Sequence, residues 1–142
     1  MKRQFTALAV AMMLFCSISP ATVHAEPEPE EIVTETVVEE YSYTSSVIST
    51  LGFSGSTATC QSTVTGNGYC TRIVGTQKLQ KKVLWWWSDV STWSKSVDGK
   101  ILTMTNNTTV TDSGTYRVRV EATVYSGSNS EAVYANSVEV VK

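Results

Sequence analysis

From Tyr41 onward the chain is patterned with a two-residue period. The clearest run starts at Tyr116. Tyr116, Val118, Val120, Ala122 and Val124 share one face, and Arg117, Arg119, Glu121 and Thr123 share the other, which is the signature of a strand with one buried and one wet side. Val47, Ser49, Leu51 and Phe53 predict an earlier strand, closed by Gly52 and Gly55. Ala58, Cys60, Ser62 and Val64 predict a second, alternating with Thr57, Thr59, Gln61 and Thr63. Thr65-Gly66-Asn67-Gly68 is a turn signal. It leads into a third strand from about Tyr69 to Lys82, with Ile73 and Leu79 inward and Lys78, Gln80 and Lys82 outward. The stretch from Val83 to Val97 reads as a loop plus a short strand. After a turn at Asp98-Gly99, Leu102 and Met104 alternate in a strand that fades at Asn106-Asn107. Ser126-Gly127-Ser128-Asn129 then turns the chain into a last strand, Ala132 to Val141. No helical period and no proline occurs after Tyr41. About seven short strands with this turn spacing predict an all-β antiparallel sandwich.

The first residues follow a different rule. Met1-Lys2-Arg3 is positive, Phe5 to Ile18 is apolar, and Val23-His24-Ala25 is a small-residue site. This pattern predicts a secretory signal peptide over residues 1–25, cleaved near Ala25, and hence a secreted protein. Cys16 lies within the apolar run, but Leu14 and Phe15 before it do not suit a lipidation site. Removing residues 1–25 takes away the single histidine, His24, and two of the eleven bases. It leaves Cys60 and Cys70, and nine bases against thirteen acids.

Charge is unevenly placed in what remains. Residues 26–40, EPEPEEIVTETVVEE, hold seven glutamates and no base, whereas residues 41–142 hold nine bases against six acids. The Glu-Pro-Glu-Pro start is stiff and self-repelling, so residues 26–40 read as an acidic leader ahead of one small domain, 41–142. Ile32, Val33, Val37 and Val38 would let its second half add an edge strand.

Several short pieces carry a resemblance. They are Gly55-Ser56-Thr57-Ala58-Thr59-Cys60, Lys78-Leu79-Gln80-Lys81-Lys82, Trp87-Ser88-Asp89-Val90-Ser91-Thr92-Trp93-Ser94-Lys95 and Gly114-Thr115-Tyr116-Arg117-Val118. With them, residues 47–142 resemble small secreted immunoglobulin-like β-sandwich proteins of Gram-positive bacteria. The resemblance implies an immunoglobulin-like sandwich, with Asp112-Ser113-Gly114-Thr115-Tyr116 as the tyrosine corner that opens a late core strand. It also exposes a departure. Cys60 stands where antibody-type domains have their second-strand cysteine, but Val118 occupies the partner position, and Leu79 stands near the place of the core tryptophan.

An even pair of cysteines in an exported domain predicts a disulfide. Joining Cys60 to Cys70 would clip a hairpin around Gly66-Asn67-Gly68 and add about 2–3 kcal/mol. A turn centred on Asn67 would set Val64 opposite Cys70, so the bridge needs a wider loop. Catalysis finds little support. No histidine remains to activate a nucleophile, and neither a metal-ligand spacing nor a glycine-rich phosphate loop appears. The expectation is therefore a protein that is not an enzyme, with no catalytic residues, metal or other cofactor, and no nucleic-acid partner. Asp89, Asp98 and Asp112 would change that only if folding brought one of them beside another acid in a cleft.

The tryptophans are the best functional candidates. Trp87, Val90 and Trp93 match packing positions, but Trp85 and Trp86 fall in the loop before them, and large exposed aromatics mark contact surfaces. Three readings stay open: all four tryptophans pack on the sandwich; Trp85 and Trp86 form a platform for a cell-wall glycan or another extracellular protein; or Lys81, Lys82 and the tryptophans sit at a membrane–water interface. A weaker candidate is a basic stripe of Lys78, Lys82, Arg117 and Arg119, suited to an anionic wall polymer or to the acidic leader.

Overall fold

A computed structural model describes residues 40–142. The predicted signal segment 1–25, with Cys16, and the predicted acidic leader as far as Glu39 lie outside the described residues. Eight strands follow in order: β1 Thr44–Ser54, β2 Thr57–Gly66, β3 Arg72–Val83, β4 Trp86–Val97, β5 Ile101–Thr109, β6 Thr115–Ser126, β7 Asn129–Asn136 and β8 Val140–Val141. They form two antiparallel sheets, ordered β1-β2-β5 and β4-β3-β6-β7, with β8 continuing the last edge against the start of β6. This is an antiparallel sandwich with immunoglobulin-like strand order.

The two-residue period built both inner faces. Ala58, Cys60, Ser62 and Val64 of β2 face Ile73, Gln77 and Leu79 of β3 and Tyr116, Val118, Val120 and Val124 of β6, all of them buried. The apolar residues divide into two clusters. One holds Val47, Val64, Ile73, Leu102, Val120 and Val124; the other holds Leu51, Cys60, Leu79, Tyr116 and Val118. Trp93 packs against both. A buried polar relay crosses the core. Ser49 Oγ and Ser62 Oγ lie 2.8 Å apart, Gln77 Nε2 donates to Ser62 Oγ at 2.8 Å, and Asn106 Nδ2 donates to Gln77 Oε1 at 2.8 Å. Gln77 thus ties β3 to two strands of the opposite sheet, with its own polar atoms satisfied.

The tyrosine corner is present. Tyr116 Oη donates to the Asp112 carbonyl at 2.8 Å, and the ring lies edge-on to Phe53. The incoming chain is clamped by Glu131 of β7, whose carboxylate accepts from the Ser42 and Tyr43 amides and from Thr44 Oγ1 at 2.7–2.8 Å.

Four expectations are corrected. Residues 66–71 are not a hairpin but a crossing between sheets, because β2 pairs with β1 and β5 whereas β3 pairs with β4 and β6. Cys60 and Cys70 are consequently free thiols, each buried in a different cluster. A Cβ at Gly66 would collide with Cys70, and Gly66 is six residues along extended β2 from Cys60, about 20 Å away. That is far outside disulfide reach. Burial pushes the Cys60 thiol up to about 11. The segment read as a loop and short strand is a tight hairpin followed by β4, twelve residues long. The last strand breaks at Ser137, whose Oγ accepts from the Val118 amide in place of a ladder carbonyl and donates to Val138 O.

Candidate binding surfaces

The β3–β4 hairpin ends in Leu84 and Trp85, with Val83 paired to Trp86. Three tight hairpins in this domain have two-residue turns whose first residue has positive φ: Gly55 at +57°, Leu84 at +56° and Gly127 at +59°. Glycine is the usual choice there because an L side chain clashes with its own backbone, at about 1–2 kcal/mol. Two of the turns follow that rule. At the third the chain places leucine, and the apolar side chains around it are not buried: Leu84 is 73% exposed, Trp85 83% and Trp86 45%. The Trp85 and Trp86 rings meet edge-to-face, with centroids 5.3 Å apart and planes at 78°. The result is a protruding apolar corner.

Lys81 and Lys82 sit just behind this tip, on opposite faces of β3. Lys81 points along the inner side, 5.8 Å from the Tyr116 ring centroid and 3.9 Å from Asp112. Lys82 points outward and joins Arg117 around Trp87, at 5.7 Å and 4.2 Å from that ring centroid. The structure therefore separates two residues that adjoin in the sequence, and brings Lys82 to Arg117 from another strand.

The basic stripe exists, but its charges are largely neutralised. Lys78 lies 3.3 Å from Glu121 and 3.9 Å from Asp89, Lys82 3.5 Å from Glu139, and Arg119 2.7 Å from Glu121. Arg117 Nε donates to Gln80 Oε1 at 2.9 Å, and Gln80 donates on to Asp89. Gln80 is outward as expected yet buried, because these two neighbours cover it. Burial and the adjacent Arg119 lower the Arg117 pKa, while hydrogen bonding from Arg119 holds Glu121 below the usual carboxylate range.

Beyond the stripe the outer face of the four-strand sheet forms an open groove of about 420 Å³ over β3, β6 and β7. Val74 and Thr76 line one side, Ala132 and Tyr134 the other, and Arg119 and Glu121 the floor. The Arg119 guanidinium carbon lies over the Tyr134 ring, 4.6 Å from its centroid, and 38% of Tyr134 stays exposed. Tyr134 carried no signal in the sequence. Its relevance comes from register, which sets it directly opposite Glu121.

The aspartates stand apart, each beside a cation: Asp89 by Lys78, Asp98 by Arg72 and Asp112 by Lys81. Among the described residues no group of three His, Cys, Asp or Glu side chains is arranged to hold a metal ion. Comparison with known protein families, with curated proteins and with solved structures finds no match for this chain.

Proposed function

We propose that the protein is a secreted, non-catalytic binding module of the cell envelope or its surroundings. In this reading it docks by inserting the Leu84–Trp86 tip into an apolar recess of another extracellular protein. The observation that carries the reading is leucine in a turn position that glycine fills in both sister hairpins. A strained residue with an exposed side chain does not serve the fold, so its use is sought outside the fold. Two edge-to-face tryptophans present a corner rather than a flat stacking surface, which suits a recess better than a sugar ring.

A second reading, insertion at a membrane interface, draws on Lys81 and Lys82 behind the tip. Both lysines have a carboxylate partner, Asp112 for Lys81 and Glu139 for Lys82, which leaves less free charge for an anionic membrane and favours the protein partner. The test is binding to isolated Gram-positive cell envelopes, with and without protease treatment of the envelope, alongside phosphatidylglycerol vesicles. Changing Trp85 and Trp86 together to serine should weaken saturable envelope binding by about 30-fold or more, as loss of a hot spot does. Protease treatment should abolish it. A blue shift of tryptophan fluorescence on vesicles would install the membrane reading instead. Envelope binding indifferent to the double substitution would remove the tip from the account.

A further inference from the structure

We infer that the outer-face groove over β3, β6 and β7 is a second binding site, for a neutral hydroxyl-rich chain such as an oligosaccharide. It is independent of the hairpin tip. The inference rests on what the groove offers and what it withholds.

The groove lies on the face of the sheet, where β6 is hydrogen-bonded to β3 on one side and β7 on the other. The backbone groups of β3 and β6 are committed to the ladder on both sides, so a peptide cannot add as a strand across the groove floor, and recognition there falls to side chains. Its charges balance locally. Arg119 and Lys78 face Glu121 and Asp89 in a chain of contacts from 2.7 to 3.9 Å. A polyanion gains little from such a field and would have to break these pairs to gain more. The site is open and of mixed polarity, unlike the enclosed apolar pockets that take small hydrophobic ligands.

What remains is a fixed array of charged donors and acceptors beside an aromatic ring. Glu121 is held by Arg119 and Lys78, so its orientation is set before any ligand arrives. A carboxylate and a guanidinium side by side match two neighbouring hydroxyls, one donating and one accepting, through charge-assisted hydrogen bonds. Tyr134, left partly exposed beside the Arg119 guanidinium, supplies the aromatic surface that the C–H face of a pyranose needs. Val74 and Ala132 give the apolar margins. Pre-pairing of the polar groups lowers the ordering cost of binding.

The test is a two-dimensional amide NMR titration of the protein with chitohexaose and with cellohexaose, each up to ~10 mM, enough to read dissociation constants of about 1 mM. Inositol hexakisphosphate serves as the polyanionic comparison. Saturable shifts centred on Thr76, Glu121, Ala132 and Tyr134 with either sugar are expected. They should weaken at least 10-fold in Tyr134→Ala and in Glu121→Gln, and persist when Trp85 and Trp86 are changed to serine. Glu121→Gln keeps the shape of the side chain, and circular dichroism of both variants checks folding. Shifts confined to the tip, no saturable shift with either sugar, or tighter groove binding of inositol hexakisphosphate than of the sugars would overturn the inference.

Discussion

Replacing Leu84 by glycine separates the folding role of the hairpin tip from its contact role. In the structure Leu84 has φ +56° and is 73% exposed, so it contributes strain and almost no burial. Relief of a left-handed L residue is worth about 1–2 kcal/mol. Glycine returns part of that, about 0.4–1 kcal/mol, through the greater freedom of the unfolded chain. The balance is a net stabilisation of about 0.5–1 kcal/mol, which for a domain of this size raises Tm by about 2–5 °C. Differential scanning calorimetry and urea unfolding read the effect, with an unchanged urea slope to show that the same structure unfolds. The same variant should bind cell envelopes more weakly, because the apex of the apolar corner is gone. Stability up and binding down is the expected pair. A fall in Tm would show that Leu84 supports the fold, and the argument from strain would fail. Unchanged binding would place the contact surface elsewhere.

Three further outcomes follow from the core and the outer face. Gln77→Leu strands Asn106 and removes one partner of Ser62, so stability should fall by about 1–3 kcal/mol; a Tm at or above that of the parent would deny the relay a structural role. Reductant should leave Tm unchanged, and both thiols should react with a thiol reagent only after denaturation, since Cys60 and Cys70 are buried and unbonded. One fast-reacting thiol in the native protein would contradict the burial. Glu121 has a lowered pKa, so its contribution is present above its unfolded value and is lost as pH falls through the folded one. Glu121→Gln should therefore flatten the acid limb of the stability–pH curve, and an unchanged limb would mean that the contacts to Arg119 and Lys78 are not formed in solution.

Alternation located the buried sets of β2 and β6 residue by residue, because each strand has one inner and one outer face. It was blind to which sheet a strand joins. A crossing and a hairpin give the same inward parity, which is why residues 66–71 read as the turn of a hairpin. β4 was hidden for a different reason: it is an edge strand, and mainly Trp93 and Val97 reach the core from it. Its hairpin carries leucine where a glycine would have announced a turn. The inward Gln77 breaks the apolar rule because its amide meets partners from two other strands. Of the candidate surfaces, Trp85 and Trp86 were visible as misplaced aromatics. The groove was not, since Tyr134 joins the Arg119–Glu121 pair of β6 only through the β6–β7 register.

The clamp of Glu131 on Ser42, Tyr43 and Thr44 fixes where the chain joins the sandwich. It lies near the β6–β7 turn, at the Arg72 end of β3, whereas Leu84 caps the opposite end. The twelve residues of β3 set these two points about 35–40 Å apart. The point where the described chain enters and the Leu84 tip thus stand at opposite ends of the sandwich, a full strand length apart. A label attached at Glu40 therefore starts far from the tip.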